Sequence, residues 1–464
     1  MSNKNMHDEK ILQLKSEDAA IRTAAAESLM CESLTLDLVE ALTALVEDQD
    51  KGVRNAVSLS LSYNGNEKIP HILVKYISSK DISVRNLAGE ILLKIGAAAV
   101  QSLVGYIDKG NDDDKKFLID ILGLIGDSSA YSKIVQVMKE NENENVILAC
   151  VEALGNLAHS DSVEDLIEIY NQSELYKPMV VEAFGKIGCE EAREFIISRY
   201  RSEDVITQFA MIESLGLIGN METFFFLLNE LNSTEGALVW PLLESIYSLK
   251  EKFSFDVPYD ERMKNLILLT IAEAEIKYKK AAAQLVSEFN DGDVVAACLN
   301  IYGEDAELDE TLKPKFFENR NFLLSKLNGV INSVPKNLRH ILSLIKEIYD
   351  DNPGQITSSI YQIELRSLLD SFVNCLNNSD EEIRRTSAEL LFLLEPSTAL
   401  MFVDKMIEDD NLWNKLKLLE LLESNPGEES LTALVKLSED QEEMISERAS
   451  MILAQFSAEY ENKN

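Results

Sequence analysis

A short motif returns along the first half of the chain at a nearly fixed interval. It reads "EILLKIG" at 90–96, "DILGLIG" at 120–126, "EALGNLA" at 152–158, "EAFGKIG" at 182–188 and "ESLGLIG" at 213–219. Its closing small residues are Gly96, Gly126, Ala158, Gly188 and Gly219, spaced 30, 32, 30 and 31 residues apart. Weaker copies extend both ways: "ESLMCES" at 27–33, "LSLSYNG" at 59–65 and "ESIYSLK" at 244–250. Eight units therefore occupy about the first 250 residues. A period of this length means that each unit is one supersecondary element, stable only when it buries its apolar face on the next.

Each unit reads as two short helices. In "EKIPHILVKYISS", Ile69, Ile72, Leu73, Tyr76 and Ile77 fall at helical spacing. Asp81 follows at a position suited to an N-cap. Val84, Leu87, Ala88, Ile91, Leu92 and Ile95 then form one broad apolar face. Gly96 stops the second helix, as glycine does where a chain leaves through left-handed dihedrals. Composition agrees: 19 glycines and 9 prolines are few for 464 residues that are 46% hydrophobic. No alternating strand pattern stands between turn signals, so an all-α protein is expected.

The spacing fails from about 251 to 340, where "KFSFDVPYDER" and "GEDAELDETLKPKFF" interrupt it. Helical patterns persist at 261–289 and 316–332, with an acidic loop expected near 303–312. Helices resume at 338–350, 356–377, 380–394, 398–407, 411–423, 428–437 and 442–459. Three regions follow: an N-terminal array over 1–250, an irregular helical segment over 251–340 and further repeats over 341–464.

The second helix of the unit carries Asp81, Val84, Arg85, Ala88, Glu90, Leu92, Ile95 and Gly96. The first unit matches with Asp18, Ile21, Arg22, Ala25, Glu27 and Leu29, and the second with Asp50, Val53 and Arg54. The pattern returns late in the chain as Asp380, Ile383, Arg384 and Glu389. These residues resemble the HEAT-repeat family, in particular its short bacterial-style repeats of the kind also found in phycobiliprotein bilin lyases. The resemblance implies a right-handed α-solenoid of stacked antiparallel helix pairs, about 30–32 residues each. It also implies that the second helix of each pair lines a concave surface. Enzymes exist among proteins of this architecture, and each class leaves a signature to look for. The paired His-Glu iron ligands of the repeat hydroxylases are absent, and no residue set specifies a bilin site. Import adaptors built from ARM repeats use a regular Trp and Asn array, whereas this chain has only Trp240 and Trp413.

The charge balance narrows the function further. There are 44 basic and 80 acidic residues, a formal net charge of −36. Most of such a surface repels nucleic acid and anionic membranes. DNA glycosylases of this architecture carry the opposite charge on their concave side. The N-terminus "MSNKNMHDEK" lacks the apolar region of a signal peptide. No uninterrupted apolar run approaches the roughly 18 residues of a membrane span. Cys31, Cys150, Cys189, Cys298 and Cys375 are widely spaced without a CxxC pair and read as small buried or partly buried thiols of a reducing cytoplasm. His7, His71, His159 and His340 are isolated, and no phosphate-binding or nucleophile motif appears. No catalytic residue, cofactor or metal site is therefore expected.

Two sets of polar residues recur. In Asp18 and Arg22, Asp50 and Arg54, Asp81 and Arg85, and Asp380 and Arg384, the arginine follows the aspartate by one helical turn. The aspartate suits a helix start. The arginine could pair with it or reach the equivalent aspartate of the next unit, forming a structural ladder. Glu27, Glu90, Asp120, Glu152, Glu182, Glu213, Glu244 and Glu389 occupy a second equivalent position, directed away from the apolar face. Stacked units would turn them into an acidic stripe. The expected function is a non-enzymatic cytoplasmic scaffold or adaptor that binds a partner protein or peptide with a basic segment along that stripe. The alternatives are a bilin-lyase-like enzyme or enzyme subunit, and a structural spacer without a saturable partner. Oligomeric state is left open.

Overall fold

The computed structural model describes residues 3–333, 335–351 and 362–461, and every regular element among them is helical. The chain divides into two compact units, Met1–Ser254 and Phe255–Asn464.

In the first unit, helices alternate between two sides of a stack. The A helices are Asn3–Leu14, Leu36–Ala44, Lys68–Leu73, Val100–Val104, Tyr131–Glu140, Ser162–Tyr170, Glu190–Arg199 and Met221–Leu231. Each is followed by a B helix: Ala19–Ser28, Lys51–Tyr63, Ile82–Ile95, Asp112–Ile125, Glu144–Leu157, Lys177–Ile187, Val205–Ile218 and Val239–Phe253. Short connections make the members of a pair antiparallel neighbours. The fold is thus an all-α array of stacked helix pairs. Its core lies between the two sides, where Val146, Cys150 and Leu154, one turn apart on one face of a B helix, are fully buried.

Local chemistry sets both ends of the B helices. Asp18, Asp50 and Asp81 cap them by accepting backbone N–H groups, and Asn111, Asn143 and Asp204 do the same in later units. At the other end Gly96, Gly126 and Gly188 adopt φ of 69°, 71° and 74°. Ala158 stands at the same repeat position and is forced to φ 51°, where its Cβ is strained. Gly219 leaves differently, at φ −65°. Ile82–Val104 has a mean hydropathy of 1.5 over an 18-residue window, apolar enough for a membrane span by composition. Gly96 divides it into a helix, a 3-10 turn and a short second helix.

Successive B helices touch through their smallest residues. A Cβ placed on Gly123 would lie 2.8 Å from Ala153 Cα, and one on Gly155 would lie 2.9 Å from Ala183 Cα. Gly185 and Gly216 meet Ser214 and Ser245 in the same way. The Ser214 and Ser245 hydroxyls donate at 2.9 Å to the carbonyls of Val181 and Ile212 on the preceding B helix. Ser60 reaches the Ala26 carbonyl similarly. Small residues let helix backbones approach, and these hydrogen bonds satisfy otherwise buried hydroxyls. B helices pack on one another far more extensively than A helices do.

In the second unit the alternation continues through the stretch where the signature is lost. Glu261–Glu273 packs on Gly292–Ile301, that helix on Arg320–Asn332, and that one on Gln362–Cys375. On the other side Ile276–Leu285 packs on Ala306–Glu318. Leu338–Asp351 packs on Glu381–Leu394, followed by Leu412–Ser424 and Glu443–Glu461. Glu261, Gly292 and Arg320 begin their helices 31 and 28 residues apart, so the period survives.

Two expectations change here, and the helical pattern at 261–289 resolves into a pair. The acidic loop expected at 303–312 is mostly helix: Asp305 caps Ala306–Glu318, and Leu308, Leu312 and Phe316 are buried one turn apart. Its carboxylates occupy the first turn, where the helix dipole favours them. The pattern at 261–289 is two helices, broken at Ala274 and Glu275. The pattern at 398–407 is also two, Pro396–Met401 and Val403–Ile407. Residues 352–361, which include the start of the helix expected at 356–377, lie outside the described residues.

Two substitutions test the B-side geometry. Gly155→Val forces a side chain into the Ala183 backbone and is expected to lower stability by about 1–3 kcal/mol in urea unfolding. Ala158→Gly relieves the positive φ and is expected to raise it by about 1 kcal/mol. An unchanged or lower midpoint for Ala158→Gly contradicts the strain argument.

Candidate protein-binding surface

The acidic position lies nine residues after the cap of its B helix. The caps Asp18, Asp81, Asn111, Asn143 and Asp204 precede Glu27, Glu90, Asp120, Glu152 and Glu213. The residue one step further on, Ala153, Ala183, Ser214 or Ser245, packs against the preceding B helix. Glu27, Glu90, Glu152 and Glu182 are exposed, while Asp120, Glu213 and Glu244 are half-buried.

Their electrostatic settings differ. Lys94 lies 2.7 Å from Glu90 and Lys116 lies 2.8 Å from Asp120, so those two charges are met within their own helices. Among the described residues no cation pairs with Glu152 or Glu182. Lys186, four residues after Glu182, instead donates to the Asn156 side chain at 2.9 Å. Between the B helices of the fourth and fifth pairs lies a depression of about 280 Å³. Gly123, Ala149 and Ala153 form its floor, and Lys116, Asp120, Leu124, Glu152 and Asn156 surround it. The small residues that bring the helices together thus leave an open hollow beside the carboxylates.

The ladder residues take a definite geometry. Asp18, Asp50, Asp81 and Asp380 cap their own helices and form no ion pair with the arginine one turn later. Arg22 reaches across to Asp48 of the next pair with both oxygens engaged, at 2.8 and 2.9 Å. Arg384 does the same to Asp409, at 2.8 Å to each oxygen. Each carboxylate sits two residues before the next cap and accepts that cap's backbone N–H at 2.9 Å. The remaining guanidinium nitrogen of Arg22, Arg54 and Arg384 donates to carbonyls of its own A–B loop.

The cross-pair link therefore depends on the residue before the next cap. Ser79 stands there opposite Arg54, and Lys109 opposite Arg85. Arg85 instead lies 5.4 Å from the Phe117 ring centroid, with its Nε buried and unpaired. Lysine replaces arginine in three further links, Lys177 to Glu203, Lys279 to Glu304 and Lys415 to Asp440, each at 2.7 Å. The sequence signal for these links is the charge two or one residues ahead of a cap, which inspection of the B helix alone passes over.

Glu389, placed in the stripe by its register, is not displayed. It is buried and its charge is met by Lys346. The equivalent positions in the two following pairs are Glu420, bonded to Lys417 at 2.8 Å, and Met451. Around them Arg385, Lys417, Arg448, Trp413, Leu416 and Met444 surround a second depression of about 600 Å³. The outward B side of this region thus combines apolar side chains with three ion-paired cations.

No group of three or more His, Cys, Asp or Glu among the described residues could hold a metal ion. Burial pushes the Cys150 and Cys298 thiols up to about 12, so they lack thiolate reactivity at neutral pH. Cys31, expected to be at least partly buried, is exposed.

These features define a class: an all-α repeat protein whose B sides carry recurrent charged positions. No family model matches the chain. No curated protein matches it either. Among solved structures, the chain is similar to one described as "Kap95p Binding Induces the Switch Loops of RanGDP to adopt the GTP-bound Conformation: Implications for Nuclear Import Complex Assembly Dynamics". The identity is 12%, the coverage is 98% of this chain and 72% of that one, and the TM-score is 0.45. A likeness at this level says nothing about what this chain binds.

The Arg384–Asp409 link has a testable pH dependence. Burial pushes the Asp409 carboxyl up, but Arg384, the Asn414 amide and the Asn411 N–H outweigh it, leaving the group below its ordinary value. A depressed folded value contributes stability above the ordinary carboxylate pKa of about 3.9, lost as pH falls through the folded value. Asp409→Asn is expected to cost on the order of 2 kcal/mol at neutral pH. Urea unfolding across a pH series should show that difference shrinking as pH falls below the ordinary carboxylate value and through the lower folded one. A difference that does not change with pH rejects the link as its origin.

Proposed function

We propose that this chain is a non-enzymatic cytoplasmic scaffold, and that the B side of its first unit binds a partner protein or peptide through a basic segment. The observation that carries the reading is the pair Glu152 and Glu182, exposed at equivalent positions of adjacent B helices and unmatched by any cation among the described residues. Helices packed side by side are about 8–10 Å apart, which sets the step of this acidic row. A basic segment running across the B helices meets one carboxylate per repeat. Charge of this kind guides encounter and register more than it adds raw affinity.

The apolar residues beside the row fit the same reading. Leu148, Pro178, Phe209 and Trp240 lie one turn before Glu152, Glu182, Glu213 and Glu244 and are half-buried. An apolar row beside an acidic row suits an amphipathic basic segment. The free thiols agree with a reducing compartment.

The test uses a labelled synthetic peptide of lysine and leucine, titrated into the full chain at low salt. Saturable binding is expected, weakening steeply as salt shortens the Debye length from about 10 Å at 0.1 M. Replacing Glu152, Glu182 and Glu213 together by lysine should weaken it at least about tenfold, with an unchanged far-UV melting curve. Equal affinity in the triple variant rejects the acidic row as the binding element.

A further inference from the structure

The depression in the second unit is unlike the rest of the molecule. It is formed by three consecutive B-side helices, Glu381–Leu394, Leu412–Ser424 and Glu443–Glu461. Trp413 is 66% exposed and Met444 57% exposed at its edge. Tryptophan is mostly buried in folded proteins. Here it is held in the open by a rigid helix start, since the Asn411 side chain accepts the backbone N–H groups of Trp413 and Asn414.

Its lining holds three cations and two carboxylates, an excess of basic groups that the chain as a whole does not have. Arg385, Lys417 and Arg448 point to one hollow in a protein of net charge −36. The two carboxylates in the lining are occupied, Glu389 by Lys346 and Glu420 by Lys417. Arg385 spends one hydrogen bond on Glu382, at 3.0 Å, and Arg448 one on Glu423, at 2.7 Å. A guanidinium has five N–H donors and suits bidentate pairing with a carboxylate. Both arginines therefore keep donors for an incoming anion. Exposed tryptophan, arginine and methionine together are the composition of interface centres, and tryptophan and arginine are the commonest hot-spot residues. The volume of about 600 Å³ accepts a bulky side chain.

We infer that this hollow is a docking site for an acidic protein segment, which inserts a bulky apolar side chain between Trp413 and Met444 and pairs its carboxylates with Arg385 and Arg448. The site is separate from the acidic row of the first unit and selects the opposite charge. A basic segment gains no partner here, because the lining carboxylates Glu389 and Glu420 are already paired with Lys346 and Lys417. A purely apolar one leaves the guanidinium donors without partners.

The chain carries its own reporter. Trp240→Phe leaves Trp413 as the sole tryptophan. The full-length variant is titrated with a blocked synthetic peptide of glutamates and leucines around one phenylalanine. A saturable blue shift of Trp413 emission is expected. The lysine counterpart of the peptide should give none. Arg385→Glu with Arg448→Glu should weaken binding of the acidic peptide at least about tenfold, or 1.4 kcal/mol. Arg385→Gln with Arg448→Gln should weaken it less. Trp413→Ala, followed by anisotropy of a labelled peptide, should lose binding that Trp413→Phe largely keeps. Circular dichroism melts confirm that each variant is folded. Lysine replacement of Glu152 and Glu182 should leave this affinity unchanged, so failure of the acidic row and failure of this site read out separately. The proposal is overturned by an absent Trp413 response, an equal response to the lysine peptide, affinity insensitive to both arginine pairs, or equal binding of a single-stranded oligonucleotide.

Discussion

Backbone-to-backbone contact between successive B helices is the constraint on which the first unit depends. Gly123, Gly155, Gly185 and Gly216 each meet the small residue of the following helix at a distance that leaves no room for a Cβ. The same contact fixes the register between pairs, because glycine and its partner must be opposite each other. Register in turn sets what the polar residues can reach. Arg22 finds Asp48, two residues before the next cap, and not the capping aspartates on either side.

Much of this architecture was legible in the sequence, and what was missed has physical reasons. The period, the alternation of two helices, the capping aspartates and the closing glycines all rest on local chemistry, which sequence displays directly. The inner glycines of "EALG", "EAFG" and "ESLG" were equally visible, yet their purpose is to accommodate a neighbouring helix, and that neighbour is thirty or so residues away. The segment at 251–340 looked irregular because it lacks the signature, although stacking needs only apolar faces at the right interval. Leu308, Leu312 and Phe316 supply one such face inside a stretch whose carboxylates suggested a loop. Glu389 shows the converse. Its register matches the displayed glutamates, but a lysine from another helix covers it, and register along one helix cannot report what another helix brings.

The division of labour between neighbouring positions bears on function. Stacking is carried by the residues one and three steps after the acidic position, and the cross-pair link by those before the cap. At Glu152 and Glu182 the acidic position is exposed and pairs with no cation among the described residues. Leu59 stands there in the second pair, 44% exposed, and Met451 in the last, 56% exposed. An exposed apolar residue at that site is therefore compatible with a formed helix pair. Helix propensity favours glutamate only mildly over many other residues. Recurrence of a carboxylate in seven of the first eight pairs is thus not dictated by the fold.

That freedom also accounts for how one architecture can present two chemistries. Where lysines stand one turn away, as with Glu90 and Asp120, the charge is cancelled on its own helix. At Glu152 no lysine stands one turn away, and at Glu182 the lysine that does, Lys186, turns to the Asn156 side chain, so the charge is left for solvent or a partner. In the last pairs the outward positions pass to Trp413, Met444, Arg385 and Arg448 while the caps and links behind them persist: Asn411 still caps, and Lys415 still reaches Asp440. Stability resides in the caps, glycines and links, and the display positions can change sign without disturbing them. A chain built this way can hold an acidic surface on one unit and a cationic, aromatic hollow on another, each selecting a partner segment that the other repels.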